Sequence, residues 1–373
     1  MSVHDLAARV DELRRQPDAA RELVGMLSEQ SPSYAGRGTN ETERVRGYVL
    51  ASFESAGLPP EGVPFVLEEL ELGNNPYTVA GAARALRGAR EVPADAPALL
   101  VRAIERLRGV DDVVSFDRFT PTPSREDRVT ALTELARALA ELGPRGRPAL
   151  DELRRLVESE GGTFSPVVTA ELARAADALD STGAAPAGAC CSEHDAAAAP
   201  HVSLSTAATE LADLALEDQD GTRLSFSEAF AGRPTALTFF YTRCQNPEKC
   251  SLTVTRLARL ARRCNAKRLE ANVAGITYDP AFDRPARLRS YGADRGMAFS
   301  AHCRLLRTLG PFDPVRATFD LGVGFGPVTV NRHRLDLVVL NPALTVTAQF
   351  ERRLWRRTTV LDALRAAAEA QGR

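Results

Sequence analysis

No stretch of this sequence reaches the ~18 consecutive apolar residues of a membrane span; the nearest, LDLVVLNPALTV, is short and interrupted, so no anchor is expected. An excess of one charge is missing too. Lys and Arg number 47 against 49 Asp and Glu, for a formal charge of -2, which gives no global attraction to nucleic acid or anionic membrane. Cysteines are sparse: six in 373 residues are too few for a disulfide scaffold, so their placement matters more than their number. The opening residues, MSVHDLAARVDELRRQ, lack the apolar core of a secretory signal because Asp5, Asp11 and Glu12 break it. A cytoplasmic protein with reduced thiols is the expectation. What is there is ordinary globular composition, 44% hydrophobic and 26% charged, over a length that suits two or three folded units.

To about residue 180 the pattern is helical, rich in Ala, Leu, Arg and Glu with apolar residues three or four apart, and strand signals are nearly absent. A weak repeat emerges from Pro64-Phe65-Val66-Leu67, Pro97-Ala98-Leu99-Leu100 and Pro148-Ala149-Leu150, each opening the second helix of a hairpin, where proline suits the first turn. The first helices carry GYVLASFESAG, TVAGAARALRG and LTELARALAELG, whose small residues permit close packing and whose glycines end the run. The arrangement resembles a HEAT-like array, made irregular by RGVDDVVSFDRFTPTPS between the second and third units; an ordinary helical bundle is the alternative.

Residues 181–204 contain STGAAPAGACCSEHDAAAAPHV, the composition of a linker, with Cys190, Cys191 and His194 of metal-compatible type inside it. Beyond it, TALTFFYTRC, NVAGITYD, MAFSA, VTVNRH, LDLVVLN and LTVTAQF read as strands. SLTVTRLARLARRC, RPARLRSYGADRG, HCRLLRTLG and TTVLDALRAAAEA read as helices. Alternating strands and helices followed by a hairpin imply an α/β sandwich of thioredoxin type. The expected organisation is multidomain: an all-α HEAT-like unit over 1–180, a linker over 181–204 and a thioredoxin-like unit over 205–373.

Cys244 follows an apolar strand and Cys250 precedes a helix, so both thiols fall in one strand-to-helix loop. A helix N-terminus favours thiolate, the form that attacks disulfides and binds metal. Pro247 can turn the five intervening residues back so that the sulfurs approach, and Lys249 favours thiolate further.

FFYTRCQNPEKCSLT is similar to the cysteine loop of the Sco/SenC family, thioredoxin-fold copper proteins linked to cytochrome oxidase assembly. DQDGTRLSFSEAFAGRP resembles its entry segment, GITYDPAFDRPARLRSYG its strand with an Asp-Pro turn, and NRHRLDLVVLNP the segment bearing a distal histidine, together covering about 205–368. The resemblance implies Cys244, Cys250 and His333 as copper ligands. Two soft sulfurs and an imidazole suit copper, Cu(I) above all, whereas zinc usually takes a fourth ligand. Family cysteines are normally separated by three residues, and here by five; the family usually carries an anchor or export signal; and the helical half is foreign to it. These departures point to a diverged role, with the helices docking a partner protein.

Two further functions compete with a copper metallochaperone. Cys244 and Cys250 can cycle as a metal-independent thiol-disulfide oxidoreductase, or the helices can be a scaffold beside a purely structural thioredoxin-like unit, in which case disrupting Leu135, Leu139 and Leu142 abolishes association. The remaining candidates read as structural. Cys303 beside His302 is expected to pack at a helix start, Cys264 to end a helix, and Arg352, Arg353, Arg356 and Arg357 to form a solvated basic face around Trp355. Gly322 to Gly326 is no phosphate loop, since a strand follows it. Asp213, Asp218, Asp220 and Asp279 are scattered and make no paired-carboxylate site.

Overall fold

The structure, a computed structural model, describes residues 1–16, 19–119, 129–181 and 207–369. Cys190, Cys191 and His194 lie outside them. The chain divides into two compact units, Met1–Ala196 and Ala197–Arg373.

Among the described residues the first unit holds nine α-helices and no strand: α1 (Val3–Leu13), α2 (Ala20–Leu27), α3 (Thr39–Ala56), α4 (Val63–Leu72), α5 (Pro76–Arg87), α6 (Ala96–Leu107), α7 (Ala131–Leu142), α8 (Leu150–Glu160) and α9 (Pro166–Asp180). Their ends follow local chemistry. The Asn75 side chain accepts from the amides of Tyr77 and Thr78 ahead of Pro76, and Thr130 and Thr133 cap α7 reciprocally. Pro64 and Pro97 sit in the first turns of α4 and α6, while Pro148 stands just ahead of α8 in a 3-10 segment. α3 packs on α5, α5 on α7 and α7 on α9; α4 packs on α6 and α6 on α8, giving two tiers. The glycines in the first tier have a steric purpose: a Cβ on Gly81 would stand 2.5 Å from the Gly47 carbonyl oxygen. Composition hid one feature. Arg46 of α3 is fully buried, its Nε donating to Glu69 at 2.8 Å, with Glu29 and Glu68 3.9 and 4.0 Å from its guanidinium.

The second unit comprises β1 (Ala215–Asp218), β2 (Arg223–Ser225), α10 (Phe226–Phe230), β3 (Thr235–Phe240), α11 (Leu252–Ala266), β4 (Asn272–Thr277), α12 (Pro285–Ala293), β5 (Cys303–Thr308), α13 (Asp313–Thr318), β6 (Val323–Phe325), β7 (Val330–His333), β8 (Asp336–Leu340), β9 (Val346–Glu351) and α14 (Arg357–Glu369). The main sheet runs β2-β1-β5-β4-β3-β8-β9, and β6 pairs with β7 separately. β3 and β4 are parallel, β8 is antiparallel to β3, and β9 returns antiparallel to β8. With its connecting helices, this β4-β3-β8-β9 core, in which β8 alone is reversed, is the thioredoxin arrangement. Every residue of β3 is buried. Phe240 stacks on Tyr291 of α12 on one face, and Phe239 meets Phe319 beyond α13 on the other, so the strand is apolar throughout and does not alternate.

Three readings are corrected. HCRLLRTLG is no helix: Cys303–Thr308 is a strand parallel to β4, and Arg304 and Arg307 face Asp218 and Glu217 of β1 across the other edge. A short apolar run cannot tell strand from helix by periodicity. MAFSA is not a strand, contributing only a bridge from Ser300 to Cys303. The basic cluster is not a solvated face, because Trp355 is buried, Arg352 is buried with it and only Arg357 of the four arginines is fully exposed.

Candidate metal centre

β3 delivers the first sulfur. At its end Tyr241 leads into a loop pinned to the segment after β4 by two carboxylates. Asp283, wholly buried, accepts from the Thr242 amide at 3.0 Å and from the hydroxyls of Thr242 and Thr277, and Asp279 accepts from Arg243 at 3.1 Å. Burial outweighs these hydrogen bonds and raises the Asp283 carboxyl above its ordinary range. Cys244, half-buried, follows this clamp.

A π-helical turn, Pro247–Ser251, then brings in the second sulfur and runs directly into α11. Asn246 starts it, its side chain accepting from the Glu248 amide at 2.9 Å. The wide turn takes up the long spacing between the cysteines, and such turns gather at functional sites. Cys250 is fully buried.

The imidazole arrives from far along the chain. His333 ends β7, opposite Val323 of β6, and its ring sits between Tyr241 and Tyr278 at centroid distances of 5.4 and 5.6 Å. Nδ1 lies 3.0 Å from the Arg334 carbonyl oxygen, which can only accept, so Nδ1 carries a proton and donates it there, leaving Nε2 as the nitrogen that faces the sulfurs. That Nε2 stands 3.4 Å from the Cys244 sulfur and 3.5 Å from the Cys250 sulfur. All three ligand atoms lie within 4.8 Å of one another. Lys249, also buried, donates from Nζ to the His333 carbonyl oxygen at 2.8 Å.

The two thiols are inequivalent. The hydrogen bond from Cys250, helped by His333, pulls the Cys244 thiol well below its ordinary range; burial, then the neighbouring Cys244, pushes Cys250 up. One proton shared by the pair therefore rests on the inner sulfur. Cys264 and Cys303 are elsewhere, both buried and both pushed up to about 11 by that burial. Cys303 begins a strand and does not join the site.

Arg334 anchors the histidine from behind, its Nε donating to buried Asp336 at 2.7 Å and its backbone amide to the Gly322 carbonyl oxygen at 2.8 Å. A Cβ on Gly322 would lie 2.4 Å from Arg334 Cδ, so the glycine that was read as a false phosphate loop makes room for this side chain. Asp283, Tyr278, Arg334 and Asp336 were not singled out from the sequence. Asp283 was the one with a usable signal, an acid four residues after Asp279 in the segment already matched to a family motif.

A thioredoxin-like unit with two sulfurs and an imidazole gathered at one end of its sheet defines a class of thiol or metal protein. Residues 203–303 match the family model described as SCO1/SenC, which spans both cysteines and stops short of His333. No curated protein matches the chain. Among solved structures it is similar to a SCO1/SenC family lipoprotein from Bacillus anthracis str. Ames (17% identity, 43% of this chain and 96% of that one, TM-score 0.38). Similar too are ScoI from Bradyrhizobium japonicum with copper bound (19%, 45% and 98%, 0.32) and yeast Sco1 (21%, 47% and 98%, 0.32). No helix among the described residues is long and apolar enough to cross a membrane.

Proposed function

We propose that this protein binds copper through Cys244, Cys250 and His333 and acts on a partner protein, either by handing the metal over or by copper-dependent thiol chemistry. The observation that carries the reading is one imidazole nitrogen within 3.5 Å of both sulfurs, while the other ring nitrogen donates its proton to a backbone carbonyl. Two thiolates and an imidazole are a soft donor set suited to Cu(I), and the SCO1/SenC match points to the same metal. The helical unit is proposed as a HEAT-like array that recognises the partner; its two-tier packing supports this. Titration of the reduced full chain with Cu(I) tests the site. One ion is expected to bind tightly, Cys244→Ser or Cys250→Ser to abolish binding and His333→Ala to weaken it; unchanged binding in all three variants would reject the assignment.

A second reading has its own support in the inequivalence of the thiols. A half-buried Cys244 with a depressed pKa suits a nucleophile and a buried, protonated Cys250 suits a resolving thiol, as a metal-independent thiol-disulfide oxidoreductase requires. Disulfide reduction by metal-free protein, lost in Cys244→Ser, is the outcome it expects.

A further inference from the structure

The chemistry of a sulfur-rich copper site depends on which oxidation state it holds more tightly, and the residue between the loop and the histidine bears on that choice. Lys249 is 5% exposed, adjoins Cys250 in the chain, and hydrogen-bonds through Nζ to the backbone oxygen of His333 at 2.8 Å. Long ammonium side chains rarely enter an interior without a reason, because desolvating the charge is costly. Here the same π-turn that carries Cys250 turns the Lys249 side chain inward, and the carbonyl of the third ligand residue holds it there.

We propose that Lys249 is a specificity-determining residue that biases the site toward Cu(I) over Cu(II). The inference rests on the copper reading above and deepens it. Two thiolates and Cu(I) sum to a charge of minus one, whereas two thiolates and Cu(II) sum to zero. A fixed positive charge close by stabilises the first more than the second, and a water-poor interior strengthens the effect. Two arginines that flank the ligand residues in the chain carry carboxylate partners, Arg334 with Asp336 and Arg243 with Asp279. A second effect of the same contact is to fix the backbone of His333, so the ammonium acts through its charge and its hydrogen bond, and these are separable.

The experiment measures Cu(I) and Cu(II) affinities of the full-length reduced protein anaerobically, each against a chromophoric chelator of known affinity. The variants are Lys249→Met, which removes charge and donor; Lys249→Gln, which keeps an N–H donor without charge; and Lys249→Arg, which keeps charge. Far-ultraviolet circular dichroism checks folding. The ratio of Cu(I) to Cu(II) affinity is expected to fall at least ~10-fold in both the Met and Gln variants, equivalent to a drop of about 59 mV in the potential of the bound ion. In the Arg variant it is expected to stay within about twofold of the unmodified protein. If the ratio is unchanged in Met and Gln, or falls in Met while Gln matches the unmodified protein, the charge assignment is overturned. If the Met and Gln variants do not fold, a ratio that falls tenfold in a folded Arg variant overturns it and a retained ratio supports it. Failure of the unmodified protein to bind either ion is a different result, which removes the copper reading itself.

Discussion

Cysteine reactivity in this chain divides by location, and the division can be measured one thiol at a time. With its thiol depressed by Cys250 and His333, Cys244 is expected to react with iodoacetamide as readily at pH 6 as at pH 8. Cys264 and Cys303, pushed up to about 11, are expected to stay unmodified across that range in the folded protein. Peptide mapping by mass spectrometry after a timed pulse distinguishes them, and equal labelling of Cys244 and Cys303 at pH 6 would contradict the picture. Asp336 gives a second test at this scale. Burial, only partly offset by Arg334, raises its carboxyl to about 6, so between pH 3.8 and 6 the folded protein holds a proton that the unfolded chain releases. This group's contribution to stability therefore declines as pH rises through that window and is level above it. Asp336→Asn removes the decline. Relative to the unmodified protein, the variant is expected to gain by up to about 3 kcal/mol between pH 4 and 6.5, read from urea denaturation at several pH values.

At the scale of elements, two sites in the helical tiers can be broken by single changes. Gly81→Val drives a side chain into the Gly47 carbonyl where α3 and α5 cross, and is expected to cost about 1–3 kcal/mol in urea unfolding of the first unit. Arg46→Met leaves Glu29, Glu68 and Glu69 buried around an apolar side chain, with an expected loss of about 3–5 kcal/mol; a smaller loss on lowering the pH, as the carboxylates protonate, would identify the cause. The helices themselves were legible because a 3.6-residue period, proline starts and glycine ends agree over long segments. The small residues of GYVLASFESAG and TVAGAARALRG also announced a close crossing. Arg46 was not legible, since a lone arginine in a charged helix carries no mark of burial. In the second unit the strands β3, β4, β7, β8 and β9 were readable from β-rich runs, but β5 was read as a helix because its apolar residues are few and flanked by arginines that pair across the sheet. Cys244, Cys250 and His333 were legible together only through the motif; sequence spacing alone gives no means of bringing a residue of β7 to the end of β3. Asp283 left only its place in the matched segment as a signal, since its bonds to Thr242 span 41 residues, and Arg334 left none, since its seat against Gly322 depends on the pairing of β6 with β7.

For the whole molecule, the division into two units predicts that a ligand of one stabilises that one first. Anaerobic Cu(I) is expected to increase hydrogen-exchange protection in segments 241–251 and 330–336, because metal binding draws the loop and β7 together. Segments of α3 to α7 are expected to exchange as before. Equal protection of the helices, measured by mass spectrometry on the full chain, would show that copper binding is coupled to the first unit.

The distance along the chain between the two thiols and the imidazole sets an order of events during synthesis. His333 follows Cys250 by 83 residues, so at ~5–20 residues per second the ribosome makes both thiols roughly 4–17 s before the imidazole that is to capture them. For that interval the nascent loop is an uncommitted dithiol, open to oxidants and to stray metal. The cluster can close only once β7 has been delivered, so a metal held by all three side chains would have to be acquired after that strand is made.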